Sequence, residues 1–175
     1  MPRSHTGLWP QLIAWDNLVR AYQRCRRRKR HSPAATAFDF AWETELLTLA
    51  DDLASGRYVP GPYRHFWIHD PKPRKISAAP FRDRVVHHAL VQVIEPVFER
   101  GFITDSYACR RGRGTHRAIA RARHYLRRHR YYLKTDIVRF FPNVDHAVMR
   151  AALARRIADP RVLALIDTIL ASGAG

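Results

Sequence analysis

The sequence predicts an α+β fold, mostly helical with a few short antiparallel strands. Long stretches carry apolar residues at helical spacing, and one aromatic-rich run alternates and is closed by prolines. The composition is that of a folding chain, with 46% hydrophobic and 11% aromatic residues among 175. That length suffices for one ordinary core.

Leu8 to Arg30 reads as a helix, with Leu8, Leu12, Trp15, Leu18, Val19 and Tyr22 on one face. It ends in Arg24, Arg26, Arg27, Arg28, Lys29 and Arg30, a cluster that suits either a solvated helix end or an RNA backbone. His31 to Pro33 breaks the pattern. Phe38 to Ser55 gives a second amphipathic helix, closed by Gly56. Tyr63 to His69 alternates as a strand does, Pro71 and Pro73 mark a turn, and Lys75 to Ala79 returns. Phe81 to Phe98 is helical, interrupted near its end by Pro96. Thr115 can cap a helix running to about His129, Tyr131 to Ile137 is β-prone, and Val144–Ile157 and Val162–Leu170 give two final helices.

Charge narrows the function. Thirty-one Lys and Arg face fifteen Asp and Glu, a net charge of +16. Such an excess points to a polyanionic partner, with nucleic acid ahead of an anionic membrane because no long apolar amphipathic helix carries the charge. No stretch approaches the 18 apolar residues of a membrane span. Two distant cysteines, Cys25 and Cys109, fit a reduced cytoplasmic setting better than a disulfide scaffold or a zinc site.

The arginines are patterned. From Ser106 through Thr135 there are nine arginines and Lys134 but no acid. Arg110, Arg111 and Arg113 lie in a Gly-rich loop where backbone can approach a phosphate. Arg117, Arg121, His124 and Arg128 follow at steps of four, three and four, forming a basic stripe beside the apolar face of Ala118, Ile119, Ala122, Tyr125 and Leu126. The expectation is a template-backbone track with no carboxylate nearby; the alternative is ordinary solvated surface. Past this run comes Asp136. In a strand it would share a face with Tyr132 and Lys134, opposite Leu133, Thr135 and Ile137. A lone acid there suits a divalent cation held against phosphate, although spacing alone favours an ordinary strand-end salt bridge.

Four segments, in order between roughly Tyr58 and Ile169, resemble reverse transcriptases of the retron, group II intron and diversity-generating-retroelement type. They are Asp70-Pro71-Lys72-Pro73-Arg74-Lys75-Ile76-Ser77, Ala79 to Leu90, Glu95 to His116, and Lys134-Thr135-Asp136-Ile137-Val138-Arg139-Phe140-Phe141. The string from Ala78 to His88 looks most like diversity-generating retroelements. The resemblance implies RNA-templated DNA synthesis by two-metal nucleotidyl transfer. Asp136 would be the first Mg²⁺ ligand, aided by the Ile137 carbonyl. Lys72 and Arg74 would grip the dNTP triphosphate, and Phe141 would lie under the sugar. Template RNA, primer or cDNA, dNTPs and a small basic accessory protein of the retroelement are the implied partners.

The same resemblance divides the chain into a helical extension (1–57), fingers (58–130) and the first part of a palm (131–175). Pro142 stands where group II intron enzymes usually carry Asp, which favours the retron or retroelement branch. The family's paired-aspartate motif is missing, since Asp145, Asp159 and Asp167 stand singly. The expectation is therefore an incomplete polymerase. A non-catalytic RNA-binding module is the rival, and a basic nuclease is disfavoured for want of a second acidic cluster.

Overall fold

The computed structural model describes residues 4–27, 32–140 and 143–173. It has the expected α+β composition, with eight helices and one two-stranded antiparallel sheet among these residues.

The predicted first helix is two. α1 spans Trp9–Ile13 and α2 spans Trp15–Arg26, broken at Ala14, whose ψ of 136° is extended. Asn17 explains the break: its buried amide donates to the freed Leu12 carbonyl at 2.8 Å, so the end of α1 is satisfied from within α2. Arg28, Lys29 and Arg30 lie outside the described residues. The second predicted helix is also two, α3 (Pro33–Phe40) and α4 (Trp42–Ser55), bent at Ala41. Ser32 caps α3 and Pro33 occupies its first turn, where a missing N–H costs nothing. Gly56 closes α4 at φ 76°, as its position predicts.

β1 (Arg64–Ile68) and β2 (Arg74–Ala78) pair with Phe66 opposite Ile76 and Trp67 opposite Lys75. α5 (Phe81–Glu99) runs through Pro96 without the predicted interruption, and ends only three residues later. α6 (Thr115–Leu126), α7 (His146–Ala154) and α8 (Pro160–Ser172) follow. Thr115 does not cap α6: Gly114 holds that position at φ 85°, and no side chain caps the helix.

The core lies among α1, α2, α4, α5 and α8, where Leu12, Leu18, Leu46, Leu49, Leu53, Val85, Val86 and Val162 are fully buried. Each such side chain contributes about 1.5–3 kcal/mol of burial. Around it, Tyr22 stacks on Trp42 at 5.5 Å and Phe38 packs on Phe81 at 5.0 Å. Burial, reinforced by a hydrogen bond to Asp39, pushes the Tyr22 phenol up to about 12. Asp83, buried in the first turn of α5, accepts from the Tyr58 hydroxyl and the Gly61 N–H, both at 2.8 Å. It thereby fixes the approach to the hairpin.

Between Val97 and Ile157 none of the described residues is buried. The predicted strand Tyr131–Ile137 is not formed. A strand needs a partner for its N–H and C=O groups, and the described residues offer this segment none. Tyr131, Tyr132, Leu133, Ile137 and Val138 are exposed as a result.

Candidate nucleic-acid interface

The basic region is built on a loop that begins where α5 ends. Arg110 holds that loop together. Its guanidinium donates to Glu99 Oε1 at 2.9 Å and to the carbonyls of Ile103 and Ser106 at 2.8 and 3.0 Å, and lies over the Phe102 ring at 5.3 Å. Only 8% of its side chain is exposed. Cys109, Gly112 and Gly114 take positive φ, letting the chain double back so that the Gly114 N–H donates to the Tyr107 carbonyl at 3.1 Å.

The second half of α6 is tied to this loop by Asp105. Its carboxylate accepts from Arg121 Nε at 3.0 Å, the Tyr107 hydroxyl at 2.9 Å and the Tyr125 hydroxyl at 3.3 Å. Arg121 also lies over the Tyr125 ring at 4.5 Å. The Arg121 guanidinium, with Tyr107, holds the Asp105 carboxyl below its ordinary range. The expectation that no carboxylate neutralises the arginine track is thus corrected. The acid-free run is real in sequence, but Glu99 and Asp105, just ahead of it, fold back onto Arg110 and Arg121. Acids bordering such a run were the available signal.

The other arginines are less committed. Arg113 rests over the Tyr107 ring at 5.9 Å. Arg111 faces Arg20, Arg24, Glu95 and Glu99 around an open cavity of about 360 Å³ between α2 and α5. Arg117 and Arg128 are exposed, and among the described residues no hydrogen bond or ion pair engages their side chains. The apolar stripe of α6 is also open: Ile119, Tyr125 and Leu126 are each at least 40% exposed.

Asp136 is exposed in irregular chain, and among the described residues its carboxylate accepts only from the adjacent Ile137 N–H, at 2.9 Å. Among the described residues no three His, Cys, Asp or Glu side chains group to hold a metal ion. One carboxylate can serve as a single ligand of the two-cation site that the resemblance implies and does not complete it. Lys72 lies exposed in the β1–β2 turn and Arg74 opens β2 opposite Ile68, so both stand on the hairpin, apart from the α6 arginines in sequence. Phe141 lies outside the described residues. No helix among them is long and apolar enough to cross a membrane.

A helical α+β body bearing a basic loop and helix defines the class to which comparison with known proteins speaks. No family model matches the chain. Its relatives include group II intron-encoded proteins and intron maturases. The chain is 26% identical to the group II intron-encoded protein LtrA of Lactococcus lactis subsp. cremoris, across 96% of this chain and 29% of that one. It is 27% identical to nuclear intron maturase 2, mitochondrial, of Arabidopsis thaliana, across 96% of this chain and 25% of the relative. With Protein YkfC of Escherichia coli K12 it shares 34% identity over 74% of this chain and 36% of the relative. The chain therefore spans about a third or less of the length of these relatives.

Proposed function

We propose that this chain is the RNA-contacting part of an intron-encoded protein of the reverse-transcriptase type. The observation that carries the reading is the loop before α6, α6 and the turn after it, where Arg111, Arg117 and Arg128 make no side-chain ion pair among the described residues, on a chain of net charge +16. Such a surface meets phosphates and shape, not base edges. The intron branch is supported by relatives that align across nearly the whole chain. The retroelement branch rests on Pro142 and on the string from Ala78 to His88. Lys72 and Arg74 would meet the triphosphate of an incoming dNTP, and Phe141 its sugar. Asp136, with the Ile137 carbonyl, would supply one side of a Mg²⁺ site. A cytoplasmic setting and the division at residues 57 and 130 belong to the same proposal.

The second reading, a non-catalytic RNA-binding module, is favoured by the solitary exposure of Asp136. The two readings share their first test. Affinity of the chain for RNA is measured against salt, with Arg117→Glu/Arg128→Glu compared to a reversal at Arg155. The expected slope of log affinity on log salt falls by roughly 1.4 to 1.8 for the pair, about 0.7 to 0.9 per phosphate contact. An effect at Arg155 equal, per reversed charge, to that of the pair would reduce the binding to diffuse attraction and end the proposal. Primer extension on an RNA template then separates the readings, and this chain alone is expected to give none.

A further inference from the structure

We infer that the β1–β2 hairpin carries a base-stacking site for single-stranded RNA, with Trp67 as platform and Lys75 as its phosphate partner. The inference rests on the RNA-binding reading above and adds to it a contact of different chemistry, on another element.

The two faces of the hairpin are unlike. Arg64, Phe66 and Ile68 share one face with Arg74, Ile76 and Ala78. On that face Ile76 and Ala78 are half-buried, and the Arg64 guanidinium covers the Phe66 ring at 5.4 Å. The other face carries Trp67 opposite Lys75 and His65 opposite Ser77, the last two joined at 2.9 Å. Trp67 is 62% exposed, and among the described residues no ring or cation lies on it. Core packing thus leaves this indole unexplained, since the largest apolar side chain type stands here in water.

Its surroundings select the occupant. Residues 64–75 hold Arg64, Lys72, Arg74 and Lys75 against the single acid Asp70. A bare aromatic face within a cationic hairpin complements a nucleotide, which brings a flat base and a negative backbone together. A directly cross-strand neighbour has its Cβ about 4.5–5.5 Å away, so the Lys75 ammonium reaches the phosphate of a base stacked on Trp67. Bases in duplex RNA are hidden in their own stack, whereas those of single strands are free to stack on side chains. The site is accordingly selective for single strands and tolerant of sequence.

The test uses the full chain, a short unstructured RNA oligonucleotide and a blunt RNA duplex. Trp67→Ala is expected to weaken the single strand by about 5- to 150-fold, the loss of one stacked base. Duplex affinity and the salt slope should stay unchanged, and Trp67→Phe, which keeps a ring, should retain most of the affinity. Thermal unfolding of both variants should match the parent, because the indole is exposed. Unchanged single-strand affinity in Trp67→Ala, equal losses on strand and duplex, or equal losses for the Ala and Phe variants would overturn the stacking site alone. So would sedimentation showing a parent dimer that Trp67→Ala dissolves, which would make the face a contact between two copies. Failure of the parent to bind either RNA would instead remove the RNA-binding reading itself.

Discussion

Asp159 Oδ2 accepts the backbone N–H of Leu8 at 2.9 Å, across 151 positions of chain. The same oxygen accepts from Trp9 at 2.9 Å, while Oδ1 takes the N–H groups of Arg161 and Val162 at 3.2 and 3.3 Å. One buried carboxylate therefore serves the first turns of both α1 and α8. A parallel bridge between His5 and Ile157 runs beside it, and Arg161 lies over the Trp9 ring at 4.4 Å. The N-terminal part of the described chain is joined here to the start of α8.

Asp159→Ala should destabilise the protein by roughly 3 kcal/mol or more. A lost cap costs about 1 kcal/mol, and each buried N–H left unpaired about 1–3 kcal/mol. Urea denaturation measures the loss. A change below about 0.5 kcal/mol, the range of ordinary surface substitutions, would mean that the two helices hold without this carboxylate.

The same residue sets an acid limit. Burial pushes the Asp159 carboxyl up, but the N–H donors of Trp9, Val162, Leu8 and Arg161 outweigh it and leave the group below its ordinary range. A depressed native value means the group binds its proton less readily when folded. Its contribution is then full above the unfolded value near 3.9 and is lost as pH falls through the native one. Stability of the parent should drop below about pH 4 with a component that Asp159→Asn lacks. Parallel acid profiles for the two proteins would refute this.

Arg110 is expected to act on the loop's order, not on RNA charge alone. Arg110→Ala should cost about 1.5–3 kcal/mol, the range for hydrogen bonds to a charged group, and raise amide exchange between residues 103 and 114. Arg110→Lys should not restore it, because a single ammonium cannot reproduce a fork shared among Glu99, Ile103 and Ser106. Arg117→Ala, by contrast, should leave stability within about 0.5 kcal/mol. Rescue by lysine would count against the fork.

Asp105→Asn should release Arg121 toward solvent. The expected result is tighter RNA binding and a steeper dependence on salt, by roughly 0.7 to 0.9 in the slope. Binding that is unchanged, with the slope unchanged, would place Arg121 outside the RNA path.

Local chemistry made much of this protein readable as sequence. Pro71 and Pro73 between alternating runs announced the hairpin, Gly56 announced the end of α4, and the spacing of Leu8, Leu12, Leu18 and Tyr22 announced a buried face. These depend on backbone preference and side-chain period, which neighbours in sequence decide. The breaks at Ala14 and Ala41 were not readable, because neither residue breaks helices. Only the folded arrangement supplies Asn17 to the Leu12 carbonyl and brings Trp42 onto Tyr22. Tyr131 to Ile137 shows the converse. Its residues favour a strand, but a strand is a relation between two segments, and none of the described residues pairs with it. The arginine track divides the same way. Its periodicity was legible, whereas Glu99 and Asp105 claim Arg110 and Arg121 through tertiary contacts that spacing cannot express.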